Sequence, residues 1–207
     1  DSLIVTGNAE FDNTVGSTAL SSLFVSGASS IKTTNLTTTG NQTYTGAATL
    51  GVNSTLASSL VKFDSTLYAA SAGEDSLTMT GNAEFDNTVG TTALSSLSVS
   101  GTSAIKTANI TTTGNQTYTG AATLGVNSTL AGSLVKFGST LDAASAGADS
   151  LIVTGNAEFD NTVGSTALSS LAVYGTSAIK TANITPTGNQ IYTGPATLAL
   201  NSTLAVI

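Results

Sequence analysis

Three observations predict an all-β solenoid, a parallel β-helix of short coiled strands, for this 207-residue chain. The phrase Asp-Ser-Leu stands at Asp1, Asp75 and Asp149, 74 residues apart each time, and a fixed period marks an array and not a single globule. A shorter phrase recurs inside each unit: Ser2-Leu3-Ile4-Val5-Thr6-Gly7 returns as Ser22-Leu23-Phe24-Val25-Ser26-Gly27, as Asn41-Gln42-Thr43-Tyr44-Thr45-Gly46 and as Ser59-Leu60-Val61-Lys62-Phe63-Asp64. The chain is built of Thr, Ser, Val, Ile, Gly and Asn, which favour strands and turns over helix interiors.

The array comprises two full repeats, 1–74 and 75–148, and a partial third, 149–207, all within one domain. The copies are near-duplicates, differing at positions such as Ile4/Thr78, Phe24/Ser98, Asp64/Gly138 and Tyr68/Asp142. Rung starts are expected at Leu3, Leu23, Gln42, Leu60 and Leu77, and onward to Leu97, Gln116, Leu134, Leu151, Leu171 and Gln190. That spacing gives about eleven rungs of 17–20 residues and four rungs per repeat.

Side chains on a strand alternate between faces, so every second residue of a half-buried strand is apolar. In the first rung Leu3, Val5, Ala9 and Phe11 face inward, in the second Leu23, Val25, Ser29 and Ile31, and in the third Ala48 and Leu50. The fourth rung slips by one: Val61, Phe63, Ser65 and Leu67 face inward, which keeps Lys62 in water and avoids burying a charge. The same register turns Gln42 and Tyr44 inward, where they are expected to hydrogen-bond at a corner. Gly7, Gly27, Gly46, Asn13, Asn35 and Asn53 punctuate the strand ends, because Gly and Asn suit tight corners.

The chain has no Cys, His or Trp, five lysines as its basic residues and twelve acids, for a net charge of −7. A disulfide is excluded, the usual zinc and haem ligands are missing, and no cofactor is implied. An acidic surface argues against nucleic acid, whose phosphates need basic groups. No apolar run reaches the roughly 18 to 20 residues of a membrane span, so no membrane insertion is expected. The chain begins within a repeat phrase and finishes on Leu204-Ala205-Val206-Ile207 without a charged cap, so a longer array or end-to-end self-association is expected.

The Leu-x-Val-x-Gly phrases and Thr-Thr-Gly-Asn-Gln-Thr-Tyr-Thr-Gly, at residues 38–46 and 112–120, resemble the filamentous haemagglutinin-type repeats of very large secreted bacterial adhesins. The resemblance implies a right-handed parallel β-helix forming the shaft of an extracellular or cell-surface filament, active in cell adhesion or biofilm. It also implies a two-partner export route, whose amino-terminal domain is not visible in this sequence. Host or matrix glycans are then possible partners.

Right-handed β-helices also resemble polysaccharide-cleaving enzymes and phage tailspikes, which keeps a carbohydrate-binding or carbohydrate-cleaving reading open. Glu10 and Asp12 are two residues apart on an outward face, recur as Glu84/Asp86 and Glu158/Asp160, and stand at a separation glycosidases use. The stronger reading makes them surface ion pairs, Asp12 with Lys32, Asp86 with Lys106 and Asp160 with Lys180, worth about 0 to 1 kcal/mol each. An active site is rarely copied three times unchanged, so no catalysis is expected. No calcium-binding nine-residue repeat is present. The triplet Thr37-Thr38-Thr39 comes once per repeat and loses its pattern at Pro186, whereas an ice-binding face needs threonines on every rung. Asn35, Asn41, Asn53, Asn109, Asn115, Asn127, Asn183 and Asn201 fit the glycosylation pattern. Asn13, Asn35 and Asn53 fall at one corner of successive rungs, where a stacked side-chain ladder is the favoured role. Outward positions drift between copies while inward ones stay apolar, as in Val5/Met79/Val153, which suits a spacer better than a specific binding face.

Overall fold

The computed structural model describes residues 1–206, so Ile207 lies outside the described residues. Among the described residues thirty short strands and no helix form a β-solenoid. Each turn lays one strand on each of three parallel sheets, so that a strand pairs with those three before and three after it, except that Ser150–Val153 and Asn156–Phe159 pair two strands on, where the first face is reduced to a bridge at Val163. Sheet one runs from Leu3–Val5 to Leu141–Ala143, sheet two from Ala9–Phe11 to Gln190–Tyr192, and sheet three from Val15–Leu20 to Ala196–Leu198. Bridges at Val163 and the pair Asn183–Ile184 with Thr203–Leu204 carry the first face upward beyond sheet one.

Following one column gives the turn length. Leu3, Leu23, Gln42, Val61, Ala83, Ser103, Ala122, Leu141, Val163, Ile184 and Leu204 are successive partners, 19 to 22 residues apart, over ten turns. The expected return at Leu77 therefore does not occur. Leu77 lies over Ser54 in sheet three, and Ala83 is the residue that returns over Val61.

The 74-residue repeat thus holds eleven strands, or three and two-thirds turns, and not four rungs. The copies begin at Leu3–Val5 on sheet one, Leu77–Met79 on sheet three and Ser150–Val153 on sheet two. Each copy is turned by a third of a revolution from the one before, and a face repeats only after three copies. At about 4.8 Å per turn, one repeat advances roughly 18 Å and three repeats roughly 53 Å. All three sheets bury alternate residues, so the period-two phrase does not reveal which sheet a strand joins.

The interior is a set of stacked columns. Leu23, Val25, Ile31, Leu50, Val61, Phe63 and Leu67 are fully buried and Phe11 nearly so. Leu3 and Val5 point inward but are only half-buried, because turns cover them from one side alone. In sheet one Val25, Tyr44, Phe63, Phe85, Ile105 and Leu124 lie one above another; in sheet three Val99, Tyr118, Phe137, Phe159, Ile179 and Leu198 repeat that order. The rings stack in parallel, with centroids 5.1 Å apart for Tyr44 and Phe63 and 6.2 Å for Phe63 and Phe85. Full burial of each such side chain contributes about 1.5 to 3 kcal/mol.

Gln42 and Tyr44 are buried in that stack, and their polar atoms are paired. Gln42 Nε2 donates to the carbonyls of Leu36 and Ala57 at 3.0 and 3.1 Å, which closes the inside of a corner, and the Tyr44 hydroxyl donates to Gln42 Oε1 at 3.2 Å. Gln116 and Tyr118 repeat this arrangement. Corners also stack closely at glycine: a Cβ at Gly101 would stand 2.6 Å from the Gly81 carbonyl carbon, so no other residue fits there without moving backbone.

Candidate functional site

The solenoid gathers its five lysines and seven of its twelve acids into three clusters, one on each face. Each arises because a Glu-x-Asp pair follows a strand's outward row and lysines stand in the turns beside it. On sheet two Lys32 pairs with Glu10 and lies 4.0 Å from Asp12. On sheet one Lys62 reaches Asp64 at 3.0, Glu84 at 3.1 and Asp86 at 3.0 Å, while Lys106 reaches Glu84 at 2.8 Å and Asp86 at 3.9 Å. On sheet three Lys136 holds Glu158 at 2.6 and Asp160 at 2.8 Å, and Lys180 holds Glu158 at 2.6 Å and Asp160 at 3.7 Å.

The expected Asp12–Lys32, Asp86–Lys106 and Asp160–Lys180 pairs therefore sit at the long edge of ion pairing, and glutamate is the nearer partner in each. Lys62 faces outward as expected, and both it and Lys136 reach into the next repeat to complete a cluster. A sequence signal for this existed: glutamate and lysine are separated by 22 residues at Glu10/Lys32, Glu84/Lys106, Lys136/Glu158 and Glu158/Lys180. Twenty-two residues is one long turn, the same step that takes Val61 to Ala83.

The electrostatics follow from these contacts. Hydrogen bonds from Lys106 and Lys62 lower the Glu84 carboxyl, and hydrogen bonds from Lys136 and then Lys180 pull Glu158 down to about 2. Glu10 is lowered by its hydrogen bond to Lys32. Asp160 and Glu158 raise Lys136 to about 12, and Asp64, Asp86 and Glu84 raise Lys62. A general acid for glycoside cleavage needs a carboxyl raised toward neutrality. These glutamates are shifted the other way and already hold lysines. Among the described residues no group of three or more acidic side chains is arranged to hold a metal ion.

The corner asparagines do not form the expected ladder. Asn13, Asn35 and Asn53 are exposed at the same corner, between sheets two and three, but Asn35 lies opposite Thr55 in the register. Asn35 donates to Thr34 Oγ1, and Asn53 Oδ1 accepts from the Ser76 amide at 2.8 Å. Offsets of one residue between Asn13 and Asn35 and of two between Asn35 and Asn53 part side chains that share a corner. Another asparagine series links the turns: Asn8, Asn82 and Asn156 each accept, at 2.9 Å, the amide of Ala28, Thr102 or Thr176 in the turn above. Thr38, the middle of the threonine triplet, is buried and donates to the Gly40 carbonyl, so the triplet does not form one flat face. The eight sequon asparagines are all exposed.

A shallow groove of about 380 Å³ runs along Asn8, Glu10, Ser30 and Thr49 on sheet two. Among the described residues no helix is long and apolar enough to cross a membrane. In comparison with known proteins, no family model, no curated protein and no solved structure matches the chain.

Proposed function

We propose that the chain is a non-catalytic shaft or spacer in an extracellular bacterial filament or giant surface adhesin. The observation that carries this reading is the seam between repeats. Leu60–Phe63 of the first copy supports Asn82–Phe85 of the second through the same parallel pairing, ring stacking and charge pairing with which Leu134–Phe137 supports Asn156–Phe159. A joint that works identically on sheet one and on sheet three allows length to grow by whole repeats. The outward drift between copies, Phe24 against Ser98 and Ala172, supports a surface that spans distance over one that recognises a single ligand.

Electron microscopy of arrays with two, three and four repeats tests this. Rods that lengthen by roughly 18 Å per repeat are the expected result; particles whose long axis does not grow with repeat number would overturn it. The groove along Asn8, Glu10, Ser30 and Thr49 favours a second reading, glycan binding. A glycan array on the chain and on a Glu10→Gln, Asn8→Ala variant decides that, since loss of a specific signal in the variant is required.

A further inference from the structure

On sheet three the strands from Asn35–Thr38 to Asn156–Phe159 pair without a shift in register, whereas shifts interrupt the pairing at Val15–Leu20 on the same sheet and at Val89–Leu94 on sheet two. The outward side chains of this stretch therefore stand in straight columns. One column reads Thr55, Thr78, Ser98 and Thr117 on four successive turns. Beside it, two residues further along each strand, Thr80, Ser100 and Thr119 form a second column. Seven hydroxyls thus occupy a grid with spacings of roughly 7 Å along the strand and about 4.8 Å from turn to turn. No charged side chain stands on these four strands, and the first one met is Lys136, one turn above Thr117.

The grid belongs to the second copy of the repeat and not to its neighbours. At equivalent positions the first copy has Ile4 and Phe24 and the third has Ile152, Ala172, Tyr174 and Ile191, and each of these is Ser or Thr in the second. The inward residues of the same strands, Leu77, Met79, Leu97 and Val99, remain apolar and fully buried or nearly so, so the change is confined to the outer surface. Thr45 and Thr193, the equivalents of Thr119, turn their hydroxyls back to donate to the carbonyls of Ser26 and Tyr174 at 3.0 and 2.7 Å. Thr119 makes no such bond among the described residues and, like Thr80 and Ser100, is exposed. Thr55 comes from the first copy, so the grid crosses a repeat boundary. Its first column advances by 23, 20 and 19 residues, which hides it from a search at fixed spacing.

We infer that this grid is an ice-binding face. The prism face of hexagonal ice carries oxygen rows at nearly these two spacings, so water held over the grid lies close to lattice positions. Each threonine supplies a methyl group around which water orders and a hydroxyl that anchors that water, and its branched Cβ restricts the side chain to few rotamers, which keeps the grid in place. Water already ordered on the face has little immobilisation entropy left to lose when it joins the crystal. A charged side chain would hold its own hydration shell, and this part of sheet three has none. Adsorbed chains pin the ice front, which must curve between them and then grows only at a lower temperature. The inference goes beyond the shaft reading, because it gives one face of the rod a partner.

The test measures thermal hysteresis of the 207-residue chain on single ice crystals and its partition into slowly growing ice. Hysteresis and enrichment in the ice are expected. Both should be lost in a Thr78→Lys, Thr117→Lys chain and in Thr80→Lys, whose single exposed position guards against a folding defect, with circular dichroism confirming the strand content of each. Thr129→Lys, outward on sheet two, should leave both unchanged, and Ser98→Thr with Ser100→Thr should raise the hysteresis. Absence of hysteresis in the unaltered chain, or an equal loss in Thr129→Lys, overturns the inference. The shaft reading rests on rod length and is unaffected by either result.

Discussion

The acid pair at the lower end and its two interior copies are the same residues with different neighbours. Glu84 and Glu158 each lie between two lysines, one above and one below, while Glu10 has only the one above. The interior glutamates are accordingly less than half as exposed as Glu10. Their own repeat sequence does not set this, since Asn-Ala-Glu-Phe-Asp is identical in all three copies. The neighbouring repeat sets it, which makes the cluster a joint between units. Beneath each interior cluster the Phe–Phe stack does the same for the core, so a seam has an electrostatic outer half and an apolar inner half.

The apolar half gives the largest expected contrast. Phe85 is fully buried between Phe63 and Ile105, whereas Phe11 has a stacking neighbour on one side only, Ile31. Phe85→Ala should cost about 3 to 5 kcal/mol and Phe11→Ala about half as much. Urea unfolding followed by two probes measures both, because solenoids unfold by segments and one probe reports only part of the array. Equal losses would show that seam packing does not distinguish interior from end.

Glycine gives the next contrast. Gly7 has open space where a Cβ would go, yet at its equivalent Gly81 a Cβ would lie 3.0 Å from the Ser58 carbonyl carbon and close to its oxygen. Gly81→Ala should cost about 2 kcal/mol or more through forced backbone movement, and Gly7→Ala about 0.5 kcal/mol or less. A thermal midpoint that falls equally in both variants would deny that the turn below imposes the glycine.

Much of this architecture is legible in the sequence, and what is hidden has a definite cause. Alternation alone places Leu23, Val25, Ile31, Val61, Phe63 and Leu67 inside, because burial on one face of a strand demands it. Alternation cannot say which of three equivalent sheets a strand joins, so Leu77 reads as the start of a new turn although it completes the old one. Corner length carries that information, and it is spread over loops such as residues 70–76, where Gly73 adopts φ +77. The charge joint is half visible: the sequence sets Lys32 beside Asp12, whereas its nearest partner is Glu10, two residues earlier on the same face. The cost of burying a charge places Lys62 outside, but only the turn length sets it beside Glu84. The asparagine ladder fails on offsets of one and two residues that corners absorb and sequence spacing does not show.

Polar plugs in the core offer a smaller contrast. Gln116 is fully buried and holds two carbonyls, Ile110 and Ala131, while Gln190 makes the equivalent bonds to Ile184 and Ala205 in the partly open upper turn. Gln116→Leu leaves two carbonyls unpaired away from water and should cost about 1 to 3 kcal/mol. Gln190→Leu should cost less, since water can reach the freed groups. Denaturant midpoints compare the two, and a larger loss at Gln190 would reverse the assignment of interior and end.

The smallest expected effect is the most direct probe of the charge joint. The folded state holds Glu158 at about 2, below the ordinary 4.5, so it favours the ionised form. The resulting stabilisation is complete above about pH 4.5 and is lost as the pH falls toward 2. Glu158→Gln should therefore lower stability at pH 6 by about 1 kcal/mol, lower it less at pH 2.5, and flatten the slope between. Asp75, raised by its burial, contributes in the opposite direction over part of the same range, but it is present in both proteins and cancels in the comparison. Glu10→Gln, at the half-finished cluster, should flatten the slope less, because Glu10 has a single lysine and both are about half-exposed, where salt screens the pair. Thermal midpoints between pH 6 and 2.5, at low and high salt, read the difference. A slope that flattens as much for Glu10 as for Glu158 would mean that the lysine from the neighbouring repeat adds nothing to the joint.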